Sequence, residues 1–161
     1  MPQSLAKVLV HIVFSTQPEA DPPLAEKNRY PFLMDKDIRS EMHAYLGGTC
    51  KKLDCPVLIV GGVADHVHML CALTRNYSLA KVIGEMKRES SKWIKTKGMM
   101  LTKFTWQSGY GVFSVSQSQV ERVRKYIGEQ EEHHRKKTFQ DEYRSFLKSY
   151  EVEYDERYVW D

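Results

Sequence analysis

The chain has 161 residues, 42% of them hydrophobic and 28% charged, which fits one globular domain with a real core and excludes a disordered chain. The formal net charge of +3 allows a nucleic-acid partner without demanding one, so the clustering of charge has to decide. Cys50, Cys55 and Cys71 lack Cys-x-x-Cys spacing, no apolar run approaches the ~20 residues of a membrane span, and the first residues carry no signal-peptide pattern; a reduced cytoplasm is the expectation, without a disulfide framework or a cysteine zinc site.

Leu5 to Ser15 is mostly apolar and rich in β-branched residues, which predicts a first strand, central and covered on both sides. Residues 17–31 carry Pro18, Pro22, Pro23 and Pro31 and read as a loop. Asp35 or Asp37 then caps a helix with Ile38, Met42, Tyr45 and Leu46 on one face, ended by Gly47-Gly48. Pro56 opens a second strand, Val57 to Val60, and Gly61-Gly62-Val63-Ala64 leads tightly into a third, predicting an antiparallel pair.

Ser78 caps the next helix, in which Leu79, Val82, Ile83, Met86, Trp93 and Ile94 follow helical spacing until Gly98. Its Lys87, Arg88, Lys92, Lys95 and Lys97 form either a solvated face or a phosphate-binding edge; Ser90, Ser91 and Trp93 among the bases favour the edge. Trp106 to Ser116 reads as a glycine-kinked strand whose Trp106, Tyr110 and Phe113 are core or stack on unpaired bases. Ser118-x-x-Glu121 is a capping box opening a helix to about His134, with Val120, Val123 and Ile127 as its buried stripe. His133 and His134 adjoin Arg135-Lys136-Lys137, a solvated basic helix end or a phosphate contact.

Thr138 caps a last helix with Phe139, Tyr143, Phe146, Leu147 and Tyr150 on one face, and the aromatic, acidic tail 154–161 is expected as an edge strand. The order β-α-β-β-α-β followed by helices predicts an α+β, ferredoxin-like (RRM-like) antiparallel sheet. One domain spans 1–161, with a core at 1–134 and a C-terminal helix and tail at 135–161. The crossover helices cover one face and leave the other to the C-terminal helices or a ligand.

The chemistry concentrates in Asp65-His66-Val67-His68-Met69-Leu70. Side chains alternate along a strand, so His66 and His68 share a face with Cα atoms roughly 6.5–7 Å apart, near enough for two imidazoles to converge on one cation or phosphate. His11, on the face of Leu9 and Val13, is either a plain buried histidine or a support for that pair. Asp65 points to the other face and ranks below Gln130 as a ligand, though it is placed to orient a neighbour. On the later helix Tyr126 and Gln130 stand at i and i+4, one turn apart. His66, His68 and the Gln130 amide oxygen suit Mg²⁺, Mn²⁺ or a similar divalent ion, which would orient a scissile phosphate for attack by Tyr126. A free phenol has a pKa near ~10 and needs a proton acceptor, which the sequence leaves unnamed.

The chain resembles the single-tyrosine HUH transposases of the insertion-sequence 200/605 type, including the repeat-associated tyrosine transposases. The resemblance is carried by His-Ile-Val-Phe-Ser-Thr at 11–16, Lys-Asn-Arg at 27–29, Gly-Gly-Val-Ala-Asp-His-Val-His-Met-Leu at 61–70 and Lys87 to Trp93. Trp106 to Val115, Tyr126-Ile-x-x-Gln130-Glu-x-His-His134, Phe139-x-x-Glu142 and Tyr154 to Asp161 continue it along nearly the whole chain. It implies that Tyr126 is the nucleophile and that His66, His68 and Gln130 bind a divalent metal, Mg²⁺ or Mn²⁺.

It also implies cutting and rejoining of single-stranded DNA near hairpins through a 5′-phosphotyrosine link, without a nucleotide cofactor. A homodimer is implied as well, with the tyrosine helix acting in trans, in the nucleoid and not at a membrane. Lys87, Arg88, Lys92, Trp93, Arg122 and Lys125 are the candidate DNA contacts. Residues 17–26 look like an insertion relative to the family pattern. The rival readings are a non-catalytic single-stranded DNA-binding protein or repressor on the same fold, and a metal-dependent hydrolase using water. The intact set of His66, His68, Tyr126 and Gln130 argues against the binder, and an active Tyr126→Phe variant would mark the hydrolase.

Overall fold

The first strand, β1 (Leu9–Ser15), is buried along its whole length because it runs through the middle of the sheet. The computed structural model describes residues 2–17 and 31–161. Residues 18–30, with most of the expected loop, most of the inferred insertion and the Lys27 to Arg29 match, lie outside the described residues. After β1 come α1 (Lys36–Lys52), β2 (Val57–Gly62), β3 (His66–Ala72), α2 (Leu79–Ile94) and β4 (Gly111–Val115), then α3 (Val120–Gly128), α4 (Gln130–His134) and α5 (Phe139–Ser149). The strands lie in the order β2-β3-β1-β4 and every neighbouring pair is antiparallel, which is the expected ferredoxin-like α+β sheet.

Register decides what each face carries. Ser15 lies opposite His66, Val13 opposite His68 and His11 opposite Leu70, so these six share one face. The other face presents Val10, Ile12, Phe14, Val67, Met69 and Cys71, which pack with Met42, Leu46 and Cys50 of α1 and Val82, Ile83 and Met86 of α2 in the largest apolar cluster among the described residues. All three cysteines are free and buried.

The histidine face is closed by the C-terminal helices in two separate apolar patches. Val13 and Phe113 meet Phe139, Tyr143 and Leu147 of α5 together with Trp160. Leu9, Leu70 and Val115 meet Val120 and Ile127 of α3. Both contacts depend on a missing side chain. A Cβ at Gly61 would lie 2.3 Å from the Ile127 carbonyl oxygen, and one at Gly111 would lie 2.6 Å from the Tyr143 ring. Between the two patches the polar side chains are enclosed.

Several boundaries differ from the sequence expectations, each for a local reason. Leu5 and Val8 are exposed, so β1 starts only at Leu9, where β3 and β4 pair with it. Asp35, not Asp37, caps α1, accepting from the backbone N–H groups of Asp37 and Ile38. Gly47 and Gly48 do not end α1. The helix runs to Lys52 and closes where Cys55 N–H bonds the Cys50 carbonyl and Asp54 N–H that of Lys51, with Asp54 at φ 58°.

The Ser118 capping box does not form: a 3-10 turn at Gln117–Gln119 precedes α3, whose start has no side-chain cap. The expected helix to His134 is broken at Glu129 into α3 and α4. Trp106 makes one bridge to Thr16 ahead of β4, and the tail forms turns rather than an edge strand, with Trp160 buried against Tyr143. Trp106 and Phe113 are core, while Tyr110 is exposed beneath the Lys87 ammonium. No helix among the described residues is long and apolar enough to cross a membrane.

Candidate active site

The pleat of β3 delivers His66 and His68 to the same side, both fully buried, and α3 to α5 bring the rest of the cluster down onto them. Glu142, in the first turn of α5, is the hub. Its Oε1 accepts from His68 Nε2 at 2.8 Å and lies 3.6 Å from His66 Nε2. Its Oε2 accepts from the Tyr126 hydroxyl and lies 3.2 Å from His134 Nε2 and 3.3 Å from His133 Nε2. The Tyr126 hydroxyl is also 3.2 Å from His133 Nε2. The expected nucleophile and both expected metal histidines therefore meet at one carboxylate.

Gln130 is buried and reaches the same point. Its amide nitrogen donates to the Tyr126 carbonyl at 3.2 Å, which turns its Oε1 toward His66 Nε2 (3.3 Å) and His134 Nε2 (3.0 Å). The bend at Glu129 leaves Tyr126 and Gln130 on adjacent turns, as their spacing predicts.

Two further residues contact the histidines. His66 Nδ1 donates to Asp65 Oδ1 at 2.7 Å. Asp65 was expected on the opposite face, but it precedes β3, so strand alternation does not bind it. His68 Nδ1 lies 2.8 Å from Nε2 of the buried His11.

These contacts set the charges. Burial, and then its histidine neighbours, lowers the pKa of His68 to about 4; burial first and His68 second lower that of His11 to about 3. Both rings are neutral at pH 7. Burial opposes ionisation of Glu142, but donation from His134 and His68 outweighs it and holds the carboxyl far below the usual carboxylate range. Burial also opposes charge on His134, yet contacts with Glu142 and the Lys137 carbonyl raise its pKa. Burial, reinforced by the Glu142 charge, pushes the Tyr126 phenol up, so the hydroxyl keeps its proton.

The donor set suits a divalent ion. His66 Nε2 faces the oxygens of Gln130 at 3.3 Å and Glu142 at 3.6 Å, while its Nδ1 is held by Asp65. Ligand atoms of His66, His68, His134 and Glu142 all lie within 4.8 Å of one another. His134 is the weakest member, because both its ring nitrogens face acceptors and favour the imidazolium.

The sequence assigns Glu142 no chemical role and reads His134 as part of a solvated basic helix end or a phosphate contact, whereas the structure puts both in the cluster. A signal was present: Glu142 falls within the apolar stripe of Phe139, Tyr143 and Phe146, and an acid there has to be buried and paired.

The candidate DNA contacts separate. Lys87, Arg88, Lys92 and Trp93 lie on α2, across the sheet from the histidines. Lys87 Nζ donates to the carbonyls of Gln107, Ser108 and Gly109, Arg88 pairs with Glu85, and Trp93 stacks on Tyr45 at 5.0 Å. Lys125 is exposed on α3. Arg122, one turn before Tyr126, borders the cleft that opens onto the tyrosine.

A search of curated proteins gives no significant match. Among solved structures, a candidate transposase from Deinococcus radiodurans R1 aligns with TM-score 0.58 at 17% identity, covering 79% of this chain and 93% of that one. A REP-associated tyrosine transposase bound to a REP hairpin aligns with TM-score 0.53 at 12% identity, covering 79% of this chain and 68% of that one. At such identities these likenesses speak to the fold. The family described as "Transposase IS200 like" matches residues 7–130, which include both histidines, Tyr126 and Gln130, and the chain belongs to that family of transposases.

Proposed function

We propose that this transposase cuts and rejoins single-stranded DNA at hairpin-containing ends, with Tyr126 as the nucleophile and a 5′-phosphotyrosine intermediate. The observation that carries the reading is the meeting of the Tyr126 hydroxyl with His68 on the Glu142 carboxylate, beside His66 and Gln130, in one buried cluster. Packing alone gives no reason to bury three imidazoles and a carboxylate beside a half-buried phenol.

His66, His68, Gln130 and Glu142 would hold a divalent metal, Mg²⁺ or Mn²⁺, which when bound supplies Lewis-acid polarisation of the phosphate. Tyr126 attacks phosphorus. The Oη–P bond forms, the bond to the leaving 3′ oxygen breaks, and that oxygen takes a proton from water to leave as a free 3′-hydroxyl. The hydrogen bond to Glu142 already directs the phenolic proton to an acceptor. Resolution reverses the step: a 3′-hydroxyl attacks the phosphotyrosine and Tyr126 recovers its proton. The hairpin class of substrate is supported by the structural neighbour bound to a REP hairpin.

The test is covalent trapping on labelled single-stranded hairpins from the DNA flanking the gene. Wild type with Mg²⁺ or Mn²⁺ is expected to give a denaturant-resistant protein–DNA adduct, abolished by chelator and by Tyr126→Phe. Binding without an adduct on every hairpin would support the repressor reading instead, and cleavage surviving in Tyr126→Phe would make water the nucleophile.

A further inference from the structure

A cleft of about 700 Å³ opens between α3 and α5 and ends at His11, Tyr126 and Glu142. Its volume falls within the roughly 300–1,000 Å³ of small-ligand sites. We propose that it seats one nucleotide of the single strand beside the scissile phosphate, the base against the Tyr150 ring and a phosphate at Arg122. This rests on the single-strand reading of the function and adds where the strand lies.

Charge supports that occupant. Arg122 precedes Tyr126 by four residues on α3, which places a guanidinium one turn from the nucleophile on the same flank. It makes no ion pair or hydrogen bond among the described residues, so its donors are available to a phosphate. Lys137 adds a second cation at the rim, held by its bond to Ser145 Oγ at 2.8 Å. The acid in the cleft lining, Glu142, is committed to the histidines and Tyr126.

The aromatic wall supports it too. Phe146 stacks on Phe113 at 5.2 Å and stands edge-on to Tyr126 at 5.8 Å, so it is fixed by packing. Tyr150 is 42% exposed, yet its ring rests on Phe113 at 4.8 Å and its hydroxyl donates to the Ser114 carbonyl at 2.9 Å. A half-exposed aromatic ring held still at both ends is a stacking platform at little entropic cost. Ser116 and Ser149 line the same space with neutral donors and acceptors for a base edge.

The experiment uses Tyr126→Phe, which binds without reacting, and hairpin strands carrying 2-aminopurine at successive positions around the cut. Stacking quenches this base, so emission is expected to fall at one or two adjacent flanking positions. Adding Tyr150→Ala is expected to restore emission there to that of the free strand and to weaken the flanked strand about tenfold, with a hairpin lacking the flank bound as before. Adding Arg122→Gln is expected to weaken the flanked strand about tenfold and to leave a hairpin without the flank unaffected. An emission profile that is flat, or identical with and without Tyr150→Ala, overturns the assignment. Failure of wild type to form an adduct while the position-specific quench persists would remove the strand-transfer chemistry and leave the nucleotide site standing.

Discussion

Glu142 shows how a single residue can organise a site through opposed effects. Burial disfavours its charge, and donors on three elements more than compensate: His68 on β3, Tyr126 on α3 and His134 on α4. The same burial keeps His68 and His11 neutral, and this has a consequence for pH. In the unfolded chain each histidine takes up a proton near 6.5, whereas in the folded chain they hold out to about 4 and about 3. Their contribution to stability is complete above pH 6.5 and is lost as pH falls through the folded values. Glu142, with its depressed carboxyl pKa, loses stabilising effect in the same direction below about 4.5. The chelator-treated protein is therefore expected to melt at progressively lower temperature between pH 6.5 and 4. His11→Gln is expected to flatten that dependence, and calorimetry across the range would check it.

At the scale of elements, the position of α3 sets where Tyr126, the proposed nucleophile, lies. The helix packs on β2 so closely that Gly61 has to lack a side chain. Gly61→Ala is expected to lift α3 from the sheet, destabilise the fold by about 1–3 kcal/mol through overpacking and sharply reduce adduct formation. Denaturant unfolding and covalent trapping on the same preparation would measure both. A fully active, equally stable variant would show that α3 adjusts without moving its tyrosine. The salt bridges from Glu131 of α4 to Lys36 and Arg39 of α1 tie the other end of this helical segment to the core.

For the whole molecule, the described contacts set Tyr126 against His68 of β3 and Glu142 of α5 in the same chain. The trans arrangement implied by resemblance would require α3 to leave those contacts and the Gly61 seat. Mixing Tyr126→Phe with His66→Ala is accordingly expected to yield no adduct. Recovery toward a quarter to half of wild-type activity would instead establish exchange of the tyrosine helix between subunits.

The division between sequence and structure follows the range of the interactions. Periodicity and capping in the sequence determined the order of strands and helices, and the two-residue repeat of β3 placed His66 and His68 on one face; the i, i+4 spacing set Tyr126 beside Gln130. These depend on backbone geometry over a few residues. Asp65 escapes strand alternation because it lies one residue before β3, and at Gly47-Gly48 helix-ending propensity is outweighed by packing and the turn at Asp54. Only the tertiary structure decided that Glu142, sixteen residues after Tyr126 and on another helix, joins the phenol to the histidines, and that four of the six basic or aromatic DNA candidates lie across the sheet. Burial and charge pairing act through space between elements distant in sequence, so these contacts exist only once the C-terminal helices have closed on the histidine face.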